Sequence, residues 1–498
     1  MVQSVIAALV CLPLICQAYT TWDNKMVPPL PQSGTAVICS TSAQLFMAIR
    51  TQRMGTTISI KDGTYNVAPF EPIMIDSNDI TIRGESGDPA SVILVGKGFL
   101  SCPIEEMIKL NGTHTTIADL TLSDVRGNCL KIQSGANHNC LVYNVRFINI
   151  AERMIKGPGV PSSLNWEIRY CHFENTQKVP ATICEADDNG NYVAGMDIMR
   201  ADSWVVHDNV FRNIQGATGG GRGAIFFWSG CKNMVAERNT FIGCDRAICY
   251  GNPSGTNDVD SGVIRNNFIV RGYGIGIEME NSANIKIYNN TLYSSNSTYF
   301  RSVYFGTNGA GNEFRNNIIF GAINGSVQTM SNNISKTLST DANTNWFAAR
   351  AIADLHLTAS ATQAIDAGTG DLVVDDWDGH GRTNGMCDIG ADEFGSTRIE
   401  RTSPAMDSVH GAISVHPNPF NPKTMITLRA PENNEPWTAV KICSVGGKLV
   451  KDLTGSQPIS SPSSYSVLWD TQGIPSGIYY IYARIGARSY TQKAVLLK

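Results

Sequence analysis

Six segments of this chain place an asparagine a fixed short step before a large apolar residue. They are VHDNVFRNI from Val206, AERNTFIGC from Ala236, VIRNNFIVR from Val263, IYNNTLYSS from Ile287, FRNNIIFGA from Phe314 and MSNNIS from Met330. The Asn that makes this step is in turn Asn209, Asn239, Asn267, Asn290, Asn317 and Asn333. Self-similarity of this kind means stacked units, none of which can bury its apolar face alone. The unit is too short for a βαβ element, and its alternation around Val, Ile and Phe reads as strand. One Asn per turn fits a ladder in which each amide bonds to those above and below and satisfies the bent backbone. The pattern therefore predicts an all-β chain built on a parallel β-helix, with these asparagines structural.

Only 16% of residues are charged and Gly numbers 46, which suits many short strands with turns between them. The 498 residues leave room for one long domain and a smaller one. A net charge of -4 gives no basic footprint, so no nucleic-acid partner is expected. Residues 1–18 form a short apolar run ending in a small residue before Tyr19, read as a signal peptide. No transmembrane segment is expected in the mature chain. Two of the 13 cysteines, Cys11 and Cys16, leave with that leader, so an odd number remains. There is no Cys-x-x-Cys, which argues against a zinc ribbon. Cys129, Cys171, Cys244 and Cys249 sit within the strand pattern and read as small core residues.

A linker at 19–36 precedes the β-helix, which is expected over 37–395. At its start, Thr41 stands three residues before Gln44, the spacing of a capping box. A short amphipathic helix there would cover the first open sheet edge. The stretch from Asp354 to Phe394 loses the period and should close the far end. Within it Asp375, Asp376 and Asp378 precede Gly379 as in a calcium loop, but no Glu closes the loop at the required spacing. A capping turn is expected there; Ca²⁺ is the one cofactor the sequence leaves open, and no metal site is assigned. A polar linker at 396–411 leads to a last unit at 412–498. Its alternating strands, joined by Gly and Pro turns, read as a small antiparallel β-sandwich.

Pro417-Asn418-Pro419-Phe420, Gly446-Gly447-Lys448, Ser476-Gly477-Ile478-Tyr479 and the basic end at Lys498 give that unit a specific likeness. It resembles the C-terminal sorting domain of proteins exported by the type IX secretion system. The resemblance implies passage through the periplasm to a secreted or cell-surface location, with residues 412–498 as the part the secretion machinery handles. The segments NVRFINI, AGMDIM, WVVHDNVFRNI and GAIFFWSGCKNMVAERNTFIGC resemble secreted right-handed parallel β-helix proteins of the pectate lyase-like superfamily. That likeness implies a polysaccharide partner, yet the superfamily also holds esterases and non-catalytic adhesins. The chain departs from the chondroitinase B-like and alginate lyase pattern, since no Arg-His-Gly coil is found.

Counting back twelve residues from the ladder reaches Asp197, Phe227 and Glu278, and the coil DRAICYG adds Tyr250. Gln133 and Lys156 join the column upstream. Their neighbours Ile132, Met196, Phe226, Cys249 and Ile277 should face the core, which sends the column outward. Stacked rings beside charges suit an extended sugar chain, so Phe227, Tyr250, Glu278 and Arg222 are the candidate substrate-binding residues. Elimination on a uronic acid needs a base and a cation to hold the developing enolate. Lys156 is the candidate base or anion clamp, Asp197 its partner, and Arg246 the group for a substrate carboxylate. Asp197 and Glu278 lie three rungs apart, on the order of 14 Å, too far for a hydrolase pair. The first expectation is thus a polysaccharide lyase-like enzyme. The alternative is a non-catalytic, adhesin-like or structural β-helix in which Lys156–Asp197 is a surface ion pair worth at most about 1 kcal/mol. An esterase has the least support, because no Ser-His-Asp constellation is visible.

Overall fold

A computed structural model describes residues 19–21, 23–31, 35–102, 105–133, 137–158, 163–181, 187–255, 258–272, 274–295, 301–336, 345–370, 372–382, 386–396, 413–416, 421–429, 437–444, 448–454, 459–461, 464–485 and 488–496. The leader at 1–18 and nearly all of the linker at 396–411 lie outside these residues. The chain forms two compact units, one of residues 1–369 and 375–397, the other of residues 370–374 and 398–498.

The first unit is a right-handed parallel β-helix. One of its sheets is ten-stranded and parallel, running from Ile73–Ile75 through Arg153–Lys156, Ala194–Met199, Gly223–Trp228, Arg246–Tyr250 and Ile275–Met279 to Ile323–Asn324. The remaining strands stack in parallel from Thr35–Cys39 to Ile334–Lys336 and bend sharply once per coil. At the bend the residue before each ladder Asn takes a left-handed conformation: Asp208, Arg238, Asn266, Asn289, Asn316 and Asn332 have φ between 51° and 56°. Asn and Asp tolerate that region best, which explains the Asn-Asn doublets.

The ladder forms as expected. Asn209, Asn239, Asn267, Asn290 and Asn317 each donate Nδ2–H to the next Asn Oδ1, at 3.0, 3.1, 2.9, 3.0 and 3.0 Å. The same oxygens accept the backbone N–H of the preceding ladder residue. A second ladder lies in the core, where Phe147, Phe173, Phe211 and Phe241 stack at 4.7, 4.5 and 4.9 Å. Those steps match the rung spacing of a parallel sheet, so each ring covers the next. Cys129, Cys171, Cys244 and Cys249 are buried free thiols, as expected, while Cys102 is disulfide-bonded.

The expected helix spans Ser42–Arg50, capped by Thr41, whose Oγ1 accepts the Gln44 N–H at 3.2 Å. It buries Leu45 and Ile49 against the first coils. The segment before it is laid along the side of the β-helix: Lys25 Nζ donates to Asp208 Oδ1 at 3.0 Å and Arg238 O at 2.7 Å, and Arg83 Nη1 donates to Leu30 O at 2.7 Å. The last unit has two four-stranded antiparallel sheets around Ile426, Leu428, Ile442, Trp469 and Ile481. No helix among the described residues is long and apolar enough to cross a membrane.

Candidate functional site

In the ten-stranded sheet the register brings one column of side chains together. Successive partners are Lys109, Lys131, Lys156, Asp197, Phe226, Cys249, Glu278 and Tyr304. Lys156 and Asp197 are adjacent, as the sequence suggested: Lys156 Nζ donates to Asp197 Oδ2 at 2.6 Å. Arg153 Nε reaches the same oxygen at 3.3 Å and its Nη1 pairs with Glu152 at 2.6 Å. Trp228 Nε1–H donates to the other oxygen, Asp197 Oδ1, at 2.8 Å. Asp197 therefore receives two cations and an indole, and it is 1% exposed.

Phe227 and Tyr250 are not in this column. Both are fully buried, their rings 5.3 Å apart inside the coil, and Phe226 and Cys249 occupy the positions expected for them. The physical reason is the two-residue alternation of a strand, in which a slip of one residue carries a side chain through the sheet. Gln133 differs: it lies two residues past Lys131 on the same face, and Lys131 holds the register position. The outer aromatic surface is instead Phe226 stacked on Trp228 at 5.5 Å with an interplanar angle of 1°. Tyr192 adds a third ring, with the Arg153 guanidinium 3.0 Å and that of Arg222 5.3 Å from its centroid. Arg222 also pairs with Asp188 at 3.0 Å. Arg246 lies one coil beyond, its Nε 2.8 Å from Glu278 Oε2 and its Nη1 donating to Gly221 O at 2.6 Å. Beside it opens a cleft of about 500 Å³ lined by Lys178, Gln215, Thr218 and Asp245. Asp245 accepts the N–H groups of Gly216 and Gly221, which commits it to the turn.

Lys109 and Lys131 were missed, although three apolar-flanked lysines in successive coils, Ile-Lys-Leu, Leu-Lys-Ile and Met-Ile-Lys, carry the signal. The three ammonium groups differ in their partners. Lys109 pairs with Glu106 at 2.8 Å and Lys156 with Asp197. Lys131 makes no hydrogen bond or ion pair among the described residues. Burial pushes its pKa down, and the charges of Arg153 and Lys109 push the same way against Glu106 and Asp197. Burial also lowers Lys156, with Asp197 opposing it. For Asp197 burial raises the pKa, but the Lys156 pair, Arg153 and the Trp228 N–H outweigh it and hold the carboxyl below its usual range.

Residues 414–497 match the family described as the secretion system C-terminal sorting domain. The chain ends in a sorting domain. Export through the type IX system to a secreted or cell-surface location follows. Of the motif residues, 417–420, 446–447 and 498 lie outside the described residues; Tyr479 packs edge-on against Trp469 at 5.4 Å and donates to Pro475 O at 2.6 Å. No curated protein matches the chain. Among solved structures, an alginate lyase from Paenibacillus sp. str. FPU-7 is 14% identical, with a TM-score of 0.42 over 61% of this chain and 99% of that one. Pectate lyase Pel9A is 14% identical, with a TM-score of 0.45 over 70% and 90%. A Family 28 exopolygalacturonase from Yersinia enterocolitica is 10% identical, with a TM-score of 0.32 over 64% and 82%. At these identities the likeness is one of fold.

Proposed function

We propose that the mature protein acts outside the cell on an acidic polysaccharide, as an eliminating lyase whose site is the outer column of the ten-stranded sheet. The division that goes with this reading is a leader at 1–18, an N-terminal segment at 19–36, a β-helix at 37–395, a linker at 396–411 and the sorting unit at 412–498. The observation that carries it is the row Lys109, Lys131 and Lys156 on consecutive rungs, ending at Asp197 and the Phe226–Trp228 surface. Rungs are about 4.8 Å apart, so the row presents three closely spaced amines to a chain of uronates. The flat rings offer apolar contact to neighbouring sugars.

Elimination requires a neutral amine to take the proton α to the uronate carboxylate while the glycosidic oxygen departs with the bonding pair. Lys131 suits that role better than Lys156: it has no carboxylate bound to it, and burial with neighbouring cations favours its neutral form. Lys156, paired with Asp197, would hold the developing enolate. Arg246 and Arg222, both partly exposed, remain the groups for substrate carboxylates further along, with Glu278 fixing Arg246.

A second reading is favoured by the burial of Lys156 and Asp197, 7% and 1% exposed, and by their mutual pairing. On that reading the cluster holds two coils together and the face binds glycan without turning it over. Incubating the secreted protein with a panel of uronate polysaccharides separates the two. Lyase action gives unsaturated products that absorb in the ultraviolet, and Lys131→Ala then lowers the rate by roughly 10²–10⁴-fold. Binding with no product on any polymer rejects the lyase and leaves the binding protein.

A further inference from the structure

The segment from Asp354 to Phe394 runs along the ladder corner, where Asn266, Asn289, Asn316 and Asn332 bond to it, and gathers imidazole and carboxylate groups there, away from the lysine row. His356, Asp378 and Asp392 each offer one donor atom, all within 4.8 Å of one another. His356 and Asp392 come from distant parts of the segment, and Asp378 from the turn between them. His356 Nδ1 lies 2.6 Å from Asp354 Oδ1, and its Nε2 faces Asp378 Oδ2 at 2.9 Å. The ring is set edge-on against Phe268 at 5.1 Å and Trp377 at 5.2 Å. This is the arrangement of a metal-ligating histidine, one nitrogen held by a carboxylate and the other presented to the site.

Asp392 supplies an independent observation. It is 5% exposed, and its only hydrogen-bond donor among the described residues is the Leu357 N–H, at 2.7 Å on Oδ2. Its other oxygen takes no hydrogen bond from a donor among the described residues. Such a group is costly unless something positive meets it. Asp375 takes no part, because its carboxylate turns away to Arg238 at 2.8 Å and Asn266 at 3.0 Å. Asp376 and His380 stand behind Asp378 in an overlapping group. There the Asp376 Oδ1 accepts the His380 N–H at 2.7 Å, and Ser396 lies 3.3 Å from His380 Nδ1.

We propose that His356 Nε2, Asp378 and Asp392 bind one divalent transition ion of the zinc class, with water in the fourth position. The ion would pin the turn at Asp378 to the strand Asp354–Leu357 and so lock this segment in place. One nitrogen and two carboxylates suit zinc, whose tetrahedral legs of about 2.0–2.2 Å place ligand atoms roughly 3.3 Å apart. Calcium wants six to eight oxygens, more than this corner offers.

The test uses the tag-free mature protein, dialysed against chelator and titrated with Co²⁺ and then Zn²⁺. One equivalent of Co²⁺ should give the visible absorption of a four-coordinate site, Zn²⁺ should abolish it, and Ca²⁺ in excess should not. Zn²⁺ should also raise the melting temperature. His356→Gln should remove the band. Asp354→Asn, which leaves all three ligands and only frees the ring, should weaken Zn²⁺ by roughly 10–100-fold; it decides the matter if His356→Gln does not fold. No band with the folded wild type, displacement by Ca²⁺, or Zn²⁺ affinity unchanged in both variants overturns the site.

Discussion

Asn267 sits in the middle of the corner ladder and is fully buried. Its Nδ2 donates to Ala236 O at 3.0 Å, Arg265 O at 3.0 Å and Asn290 Oδ1 at 2.9 Å. Its Oδ1 accepts Asn239 N–H at 3.0 Å and Asn239 Nδ2–H at 3.1 Å. Asn267→Ala removes all five, but the losses are unequal. Asn239 Nδ2 keeps Val206 O, and Asn290 Oδ1 keeps the backbone N–H of residue 267. The Asn239 backbone N–H keeps nothing, in a residue that is itself fully buried. One orphaned buried donor costs about 1–3 kcal/mol, and the vacated amide volume adds to that, so about 3 kcal/mol is expected. Asn333 makes the same bonds to Asn317 at the open end of the ladder but is only half-buried. Water can replace it there, and Asn333→Ala should cost under about 1 kcal/mol. Asn267→Asp should be worse than Ala, because its carboxylate keeps the acceptor yet faces Asn290 Oδ1 and Ala236 O without a donor. Equilibrium urea unfolding, followed through the near-ultraviolet signal of Trp166 stacked on Trp204, reports the β-helix directly. Equal costs for Asn267→Ala and Asn333→Ala would refute the ladder argument, as would an Asn267→Ala cost below about 0.5 kcal/mol.

Two further outcomes follow from buried groups. Burial raises the Glu237 pKa, but Arg238, Arg265 and His207 more than reverse this and bring it to about 2. Its folded value is below the unfolded one, near 4.3, so its stabilisation is complete above that pH and is lost as pH falls toward 2. Wild-type stability should drop by at most roughly 3 kcal/mol over this window, and Glu237→Gln should flatten that part of a urea-unfolding pH series. Phe227→Ala should cost about 3–5 kcal/mol as a core cavity while leaving glycan affinity per folded molecule unchanged; a glycan-binding defect in a fully folded Phe227→Ala protein would reject the inward placement.

The fold was legible because the ladder is a constraint that renews itself. A buried Asn that misses its rung leaves its own amide and a backbone N–H unpaired, so every coil from Asn209 to Asn333 states its register in the sequence. The outer column has no such device. Its residues are tied to the ladder only through a turn, and turns vary freely in length. Asp197 and Glu278 stand twelve residues before their ladder Asn, but Phe226 stands thirteen before Asn239 and Cys249 eighteen before Asn267. A constant count therefore placed Phe227 on the wrong side of the strand, and matching the coil DRAICYG to it carried Tyr250 to the same wrong side. Upstream there is not even a ladder to count from, since Cys171 is the residue whose N–H meets Asn209. That is where Lys109 and Lys131 were lost. The same logic explains why the lysine row was recoverable in principle. A lysine flanked by apolar residues in three successive coils can only point outward, because a buried ammonium without a partner is too costly to stack three times. Charge flanked by core residues fixes the face of a strand without any count. In a coiled fold with irregular turns, it is the better guide to the surface where a ligand is met.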